Sequence, residues 1–145
     1  NFDDIAFSPK PYQKPRIPIW VGGEGKPAQR RAGRYGDAWL PYFVRITPKE
    51  LAARFDNVRR CAREAGRSPD EIKFACCLPI ELTSQAIPQE ENYLRGSIQQ
   101  VTDAIKKFQD VGVSHMGLQF MIPHYPERQE QIERFAKEAL PVLRG

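Results

Sequence analysis

Residues 18–25 read Pro-Ile-Trp-Val-Gly-Gly-Glu-Gly, and a run able to form a helix begins directly behind them. The apolar residues Ile17, Ile19, Trp20 and Val21 fit a short buried strand. Gly22, Gly23 and Gly25 let the chain turn sharply and bring its backbone close to a ligand. Pro27 suits the first turn of a helix, where its missing N–H costs nothing. Strand, glycine turn and helix start in that order present unpaired backbone N–H groups at the positive end of a helix dipole. Such a turn can hold a phosphate or another anion. The same residues also fit a plain strand-to-helix turn with no ligand, since short glycine motifs are common.

The elements that would position this turn belong to one domain with a real core: the chain has 145 residues, 41% hydrophobic and 28% charged. It begins at Asn1 without a Met, as if cut from something longer, and shows neither a signal peptide nor an apolar run of membrane-spanning length. A cytoplasmic protein is expected. The net charge of +4 is spread along the chain, with a denser patch at Lys26, Arg30, Arg31 and Arg34. No nucleic-acid motif accompanies that patch, so it reads as a solvated helix face or as the neighbourhood of an anionic cofactor. Cys61, Cys76 and Cys77 have no framework spacing, which argues for a reducing compartment and against a disulfide. His115 and His124 stand far apart and there is no CxxC, so no metal site is expected. Neither a Ser-His-Asp constellation nor a P-loop is present, and nothing favours hydrolysis or phosphoryl transfer.

Residues 1–16, with Pro9, Pro11 and Pro15, read as an extended lead-in. Strands are expected at 17–22, 37–41, 72–82 and 116–122. Helices are expected at 26–35, from Thr47 to Gly66, from Ser97 to Gly112, and at 127–143. Thr47-Pro48-Lys49-Glu50 and Ser97-Ile98-Gln99-Gln100 are capping-box patterns. Residues 83–95 read as a polar loop on one rim. Strand-helix alternation, four times over, specifies an α/β fold with parallel strands and crossover helices. Four such units fit a small open sheet with helices on both faces. They fit equally well half of an eight-unit barrel of about 250 residues. Strand order separates a flavodoxin-like nucleotide binder from the barrel.

Several stretches carry a family resemblance. Phe7-Ser8-Pro9-Lys10-Pro11 through Pro18-Ile19-Trp20-Val21-Gly22-Gly23 resembles the luciferase-like monooxygenase superfamily. Arg30-Arg31-Ala32-Gly33-Arg34-Tyr35-Gly36-Asp37-Ala38-Trp39 is similar to that family's RRAARxGDGW stretch, and Gly66-Arg67-Ser68-Pro69-Asp70 to its GRDP turn. Arg95-Gly96-Ser97-Ile98-Gln99-Gln100-Val101 and Gly112-Val113-Ser114-His115 resemble its GTPEEV and GVDH segments. Within the superfamily the ordered set is most similar to the deazaflavin (coenzyme F-420)-dependent oxidoreductase branch.

The resemblance implies a half-barrel over residues 17–145, matching units five to eight of a TIM (β/α)8 barrel: its C-terminal half. It implies hydride transfer between a deazaflavin, or alternatively FMN, and a small-molecule substrate. A reduced-FMN monooxygenase and a non-catalytic, self-associating half-barrel are the competing expectations. The absent first half, or a second copy of the chain, would cover two sheet edges and the inner face. Partners in nucleic acid or membrane are not expected. Active sites of such barrels lie at the C-terminal ends of the strands. Gly22, Gly23, Glu24 and Gly25 are therefore the expected cofactor-binding residues, with the Glu24 carboxylate unfavourable beside an anion unless it points away. Trp39, Pro41, Tyr42, Gly96, Ser97 and His124 are expected around the substrate or cofactor pocket. Trp39 also fits a core aromatic and Ser97 a plain helix cap. His115 and Asp37 are expected at the opposite, structural end. No catalytic residue is assigned.

Overall fold

Both capping boxes form, and they set where two of the helices begin. Thr47 Oγ1 accepts from the Glu50 amide and the Glu50 carboxylate accepts from the Thr47 amide at 3.0 Å, opening helix α2, Pro48–Glu64. Ser97 and Gln100 make the same reciprocal pair at the start of the helix Ile98–Asp110. The computed structural model describes residues 8–42, 44–90 and 92–144. In chain order the elements are β1 (Trp20–Gly22), α1 (Lys26–Tyr35), β2 (Ala38–Leu40), α2, β3 (Lys73–Leu82), β4 (Leu94–Gly96), α3 (Ile98–Asp110), β5 (His115–Phe120) and α4 (Tyr125–Arg134). Helix α4 runs through a π-helical turn, Phe135–Ala139, into α5, Leu140–Arg144. Of the expected lead-in, residues 1–7 lie outside the described residues, and 8–16 are exposed and form no helix or strand.

All the strand pairs are parallel, and β1, β2, β3 and β5 lie side by side in the order in which the chain makes them. A flavodoxin-like sheet would place its first strand between later ones. Sequential order is instead that of a singly wound barrel wall, and the four β-α units make a half (β/α)8 barrel. The fifth strand departs from expectation. Leu94–Gly96 pairs with Ile80–Leu82 inside what reads in the sequence as loop and helix start. Ile80 is flanked by Leu94 and by Phe120, so β4 and β5 lie on opposite edges of β3. The chain after β2 runs along the β4 side, with Cys77 bonded to the Pro41 carbonyl and Val44 to the Cys77 carbonyl.

Strand β3 is buried along nearly its whole length, as a strand covered on both faces must be. Its alternate residues Phe74, Cys76, Leu78, Ile80 and Leu82 join the helices in one core with Leu51, Phe55 and Val58 of α2, Val101, Ile105 and Phe108 of α3, and Phe135 and Ala139. Trp39 belongs to the same layer. Its ring lies 6.3 Å from Phe55 and 6.1 Å from Phe74, and those two stack at 4.1 Å. The opposite parity faces inward: Trp20 on β1, Ala75, Cys77, Pro79 and Glu81 on β3, and His115, Gly117 and Gln119 on β5. In a flat sheet β1 and β5 would stand about 14 Å apart, three strand spacings. The Trp20 and His115 rings nonetheless meet edge to face at 5.3 Å, so the sheet is curled and its inner face is concave.

The glycine-arginine turn closes the outer layer. Gly66 adopts φ +72°, and Arg67 Nη1 then reaches the α1 C-terminus, donating to the Gly36 carbonyl at 2.9 Å and the Gly33 carbonyl at 3.1 Å. These are end carbonyls that the helix itself cannot satisfy. Asp37 performs the matching task beside β2. It accepts two contacts from the Arg16 guanidinium and one from the Ile19 amide at 2.6 Å, fastening the lead-in to the sheet.

Candidate active site

The C-terminal ends of the strands carry two groups of residues. The first is the turn after β1. Gly23 sits at φ +98°, where a side chain would be strained and its Cβ would come within 3.0 Å of Ala28 Cβ. Two carbonyls of the turn are held from behind. The Trp39 indole N–H donates to the Gly23 carbonyl at 2.8 Å, and the Gln29 amide to the Glu24 carbonyl at 2.6 Å. Gln29 is only 5% exposed, and its own oxygen accepts from Asn57 of α2 at 2.6 Å. With carbonyls drawn toward the helices, the peptide N–H groups are free to face the rim. Helix α1 starts without a side-chain cap, and its Ala28 and Gln29 amides return to the Gly25 carbonyl. Pro27 has no N–H, so the amides of Glu24, Gly25 and Lys26 are the ones presented at the positive helix end. The Glu24 carboxylate turns away from them to Arg54 of α2, at 2.6 Å. This ion pair offsets the Glu24 charge beside the turn.

The second group lines the concave face and its rim. Tyr42, after β2, donates to Gln119 Oε1 of β5 at 2.8 Å, passing across β3. Above it Glu81, the last inward residue of β3, stands in register with Arg95 of β4, and Arg95 Nε lies 3.1 Å from Glu81 Oε2. Tyr93 lies beside this pair, with the Arg45 guanidinium 4.6 Å over its ring. Burial, and then the Glu81 charge, hold the Tyr93 hydroxyl above its ordinary value of 10.0, so it remains an O–H donor at neutral pH.

The residues named from sequence are distributed unevenly between these groups. Gly22–Gly25 form the turn. Tyr42 lies on the inner face and is mostly exposed. Trp39 does not face the mouth: its side chain is fully buried in the outer core and touches the site only through its indole N–H. Pro41 is fully buried as well. Gly96 ends β4 at φ +140°, where a Cβ would meet Gln100 Oε1 at 2.5 Å, and Ser97 is the α3 cap. His124 is exposed at the start of α4 and makes no capping bond there. Sequence reasoning missed Gln29, Arg54, Arg45, Glu81 and Tyr93. Strand parity alone would have placed Glu81 inward. Nothing local announces that Arg45 and Tyr93 meet.

Among the described residues there is no group of His, Cys, Asp and Glu that could hold a metal ion, and no helix is long and apolar enough to cross a membrane.

Comparisons with known proteins agree with this architecture. The chain is 29% identical to the phthiodiolone/phenolphthiodiolone dimycocerosates ketoreductase of Mycobacterium tuberculosis (strain ATCC 25618 / H37Rv), over 97% of this chain and 39% of that protein. It is 41% identical over 66 residues to the protein of the same name from Mycobacterium sp. (strain JLS), covering 46% of this chain and 17% of that one. The chain therefore spans well under half the length of these relatives. In structure it is similar to the coenzyme F420-dependent tetrahydromethanopterin reductase of Methanopyrus kandleri, with TM-score 0.72 and 18% identity over 88% of this chain and 51% of that one. It is also similar to an F420-dependent secondary alcohol dehydrogenase in complex with an F420-acetone adduct, with TM-score 0.74 and 19% identity over 91% and 50%. At such identities these two establish the fold. The profile of the luciferase-like monooxygenases matches residues 1–90, more than half of the chain, and with the half-barrel and its glycine turn this makes the chain a member of the luciferase-like monooxygenase family.

Proposed function

We propose that this chain forms part of the active site of an oxidoreductase that moves a hydride between a deazaflavin and a small organic substrate of ketone or alcohol type. The observation that carries the reading is the glycine turn, with its carbonyls tied back and its amides presented at a helix start. The amides of Glu24, Gly25 and Lys26 would hold an anionic group of the cofactor, with Arg54 keeping the Glu24 charge out of the way. Hydride chemistry would be supplied by the bound cofactor, and the protein's part is orientation and exclusion of water. The concave face, with Tyr42 hydrogen-bonded to Gln119, would form one wall of the pocket. FMN in place of the deazaflavin is the alternative. The names of the ketoreductase and alcohol dehydrogenase relatives support the carbonyl-alcohol chemistry. We further infer that the sheet edges and concave face are covered by the other half of a barrel or by a second copy of the chain.

The test is anaerobic absorbance spectroscopy on the polypeptide that carries this chain with a complete barrel. Reduced deazaflavin should be oxidised by ketones, and oxidised deazaflavin reduced by secondary alcohols. Oxygen consumption with reduced FMN, and no reaction with the deazaflavin, would move the assignment to a monooxygenase. Binding of neither cofactor would overturn it.

A further inference from the structure

We propose that Arg45 and Arg95 form an anion subsite on the rim of the concave face, taking a carboxylate or phosphate group carried by the small-molecule substrate. The two guanidiniums come from separate segments, one after β2 and one on β4, and meet around Tyr93. Arg45 stands 4.6 Å over the Tyr93 ring, and a guanidinium held over an aromatic face keeps its N–H edge available for an oxyanion. On its other side Arg95 Nε lies 3.1 Å from Glu81 Oε2, an ion pair by distance in which the Nε–H makes no hydrogen bond. Among the described residues no acceptor takes the terminal nitrogens of Arg95, and Arg45 has no ion pair. Among the described residues Glu81 is the carboxylate paired with Arg95, and the two arginines with Glu81 sum to one positive charge. The Tyr93 hydroxyl, kept protonated by burial and by Glu81, donates to the Glu81 carboxylate beside the two arginines.

A structural role explains this arrangement poorly. Rim ion pairs contribute little to stability, and neither arginine supports the core. Two forked donors beside one aromatic ring are of the kind that recognises carboxylate and phosphate oxygens. The cluster also sits at the C-terminal end of β3, on the face where reactions occur in this fold. The inference rests on the reading of this face as the substrate side, but its test does not need turnover, so its failure and that of the hydride-transfer reading are distinguishable.

The experiment follows arginine Nε–H resonances of the chain by NMR while it is titrated with inorganic phosphate and, separately, with acetate. Arg45 and Arg95 signals are assigned by their loss in Arg45→Gln and Arg95→Gln. We expect both signals to move together and saturate with one dissociation constant, while those of Arg59 and Arg63 on α2 stay in place. Arg45→Gln should weaken the saturating anion at least tenfold for Arg95, without changing the melting temperature, because Arg45 is exposed. Saturation by phosphate alone assigns a phosphorylated substrate, and saturation by acetate assigns a carboxylate. Arg95→Gln removes the ion pair with Glu81; should it fail to fold, the Arg45→Gln result decides alone. Equal, non-saturating shifts at all exposed arginines would mean an adventitious ion only and would overturn the proposal, as would the absence of any shift.

Discussion

A buried amide decides how the glycine turn is aimed. Gln29 is nearly closed off from water and bridges the Glu24 carbonyl to Asn57, with bonds of 2.6 Å on both sides. Replacing it by Leu keeps the volume but strands a carbonyl and an amide. Leaving a polar group unpaired in a buried site costs about 1–3 kcal/mol, and water reaches the exposed Glu24 and half-buried Asn57, so the two losses together stay within that range. Gln29→Leu should therefore lower stability in urea by about that amount, and it should weaken binding at the turn beyond what stability explains. Unchanged affinity in a folded variant would remove Gln29 from the positioning of the turn. Asp37 gives a residue-scale pH effect away from the site. The Arg16 hydrogen bond, then the Ile19 amide, hold its carboxyl below the ordinary 3.8. The folded state thus binds fewer protons than the unfolded one in that range. The stabilisation is complete above about pH 3.8 and fades as pH falls through the lower folded value. Asp37→Asn should flatten the acid end of the stability profile between pH 5 and pH 2, read by thermal melts, and leave the neutral-pH slope alone. An unaltered acid limb would show that the Arg16 contact does not persist in solution.

Helices α1 and α2 approach so closely that one position admits no side chain. A Cβ on Gly33 would lie 2.6 Å from the Val58 carbonyl oxygen, 2.8 Å from Cys61 Cβ and 2.9 Å from the Ala62 amide. Backbone atoms cannot give way as a flexible side-chain end can. Gly33→Ala should force the helices apart and cost about 1–3 kcal/mol, the usual range for overpacking. Gly66→Ala should act through backbone strain at φ +72° instead, with open space around it. Equal stability of Gly33→Ala and wild type in chemical denaturation would contradict the close packing. Elements of this kind were readable where local chemistry specifies them. Thr47 with Glu50, and Ser97 with Gln100, announce their helices, and the apolar spacing Leu51, Phe55, Val58 names the buried face. β4 was not readable, because three residues closing a polar loop carry no period, and its pairing to Ile80–Leu82 comes from the fold. The site divides the same way. Gly22–Gly25 stand together in the chain, so the turn they form is legible from sequence. Arg45, Glu81, Tyr93 and Arg95 converge only because strand parity and the β3–β4 register bring three segments to one rim. Trp39 stood at the right place in the sequence, yet parity turns it to the helices.

At the scale of the whole molecule, the curled sheet leaves two open margins, and the exposed apolar residues gather there. Ile17 and Ile19 lie just before β1 and Trp20 opens it, and among the described residues β1 pairs with β2 alone. Met121 and Ile132 lie beyond β5, which among the described residues pairs with β3 alone. Unpaired parallel edges flanked by apolar side chains are templates for further pairing, and contiguous apolar exposure marks a surface that expects cover. The chain taken alone should therefore associate through these margins. Light scattering at tens of micromolar should give at least twice the 16.6 kDa chain mass. Ile19→Lys, 46% exposed in the wild type and outside every site contact described above, should shift the population toward monomer without unfolding it, because a charge on an edge strand discourages pairing. A wild-type chain that stays monomeric and folded at that concentration would mean that the margins are tolerated by solvent. The curvature fixed by Trp20 and His115 would then persist without a covering half.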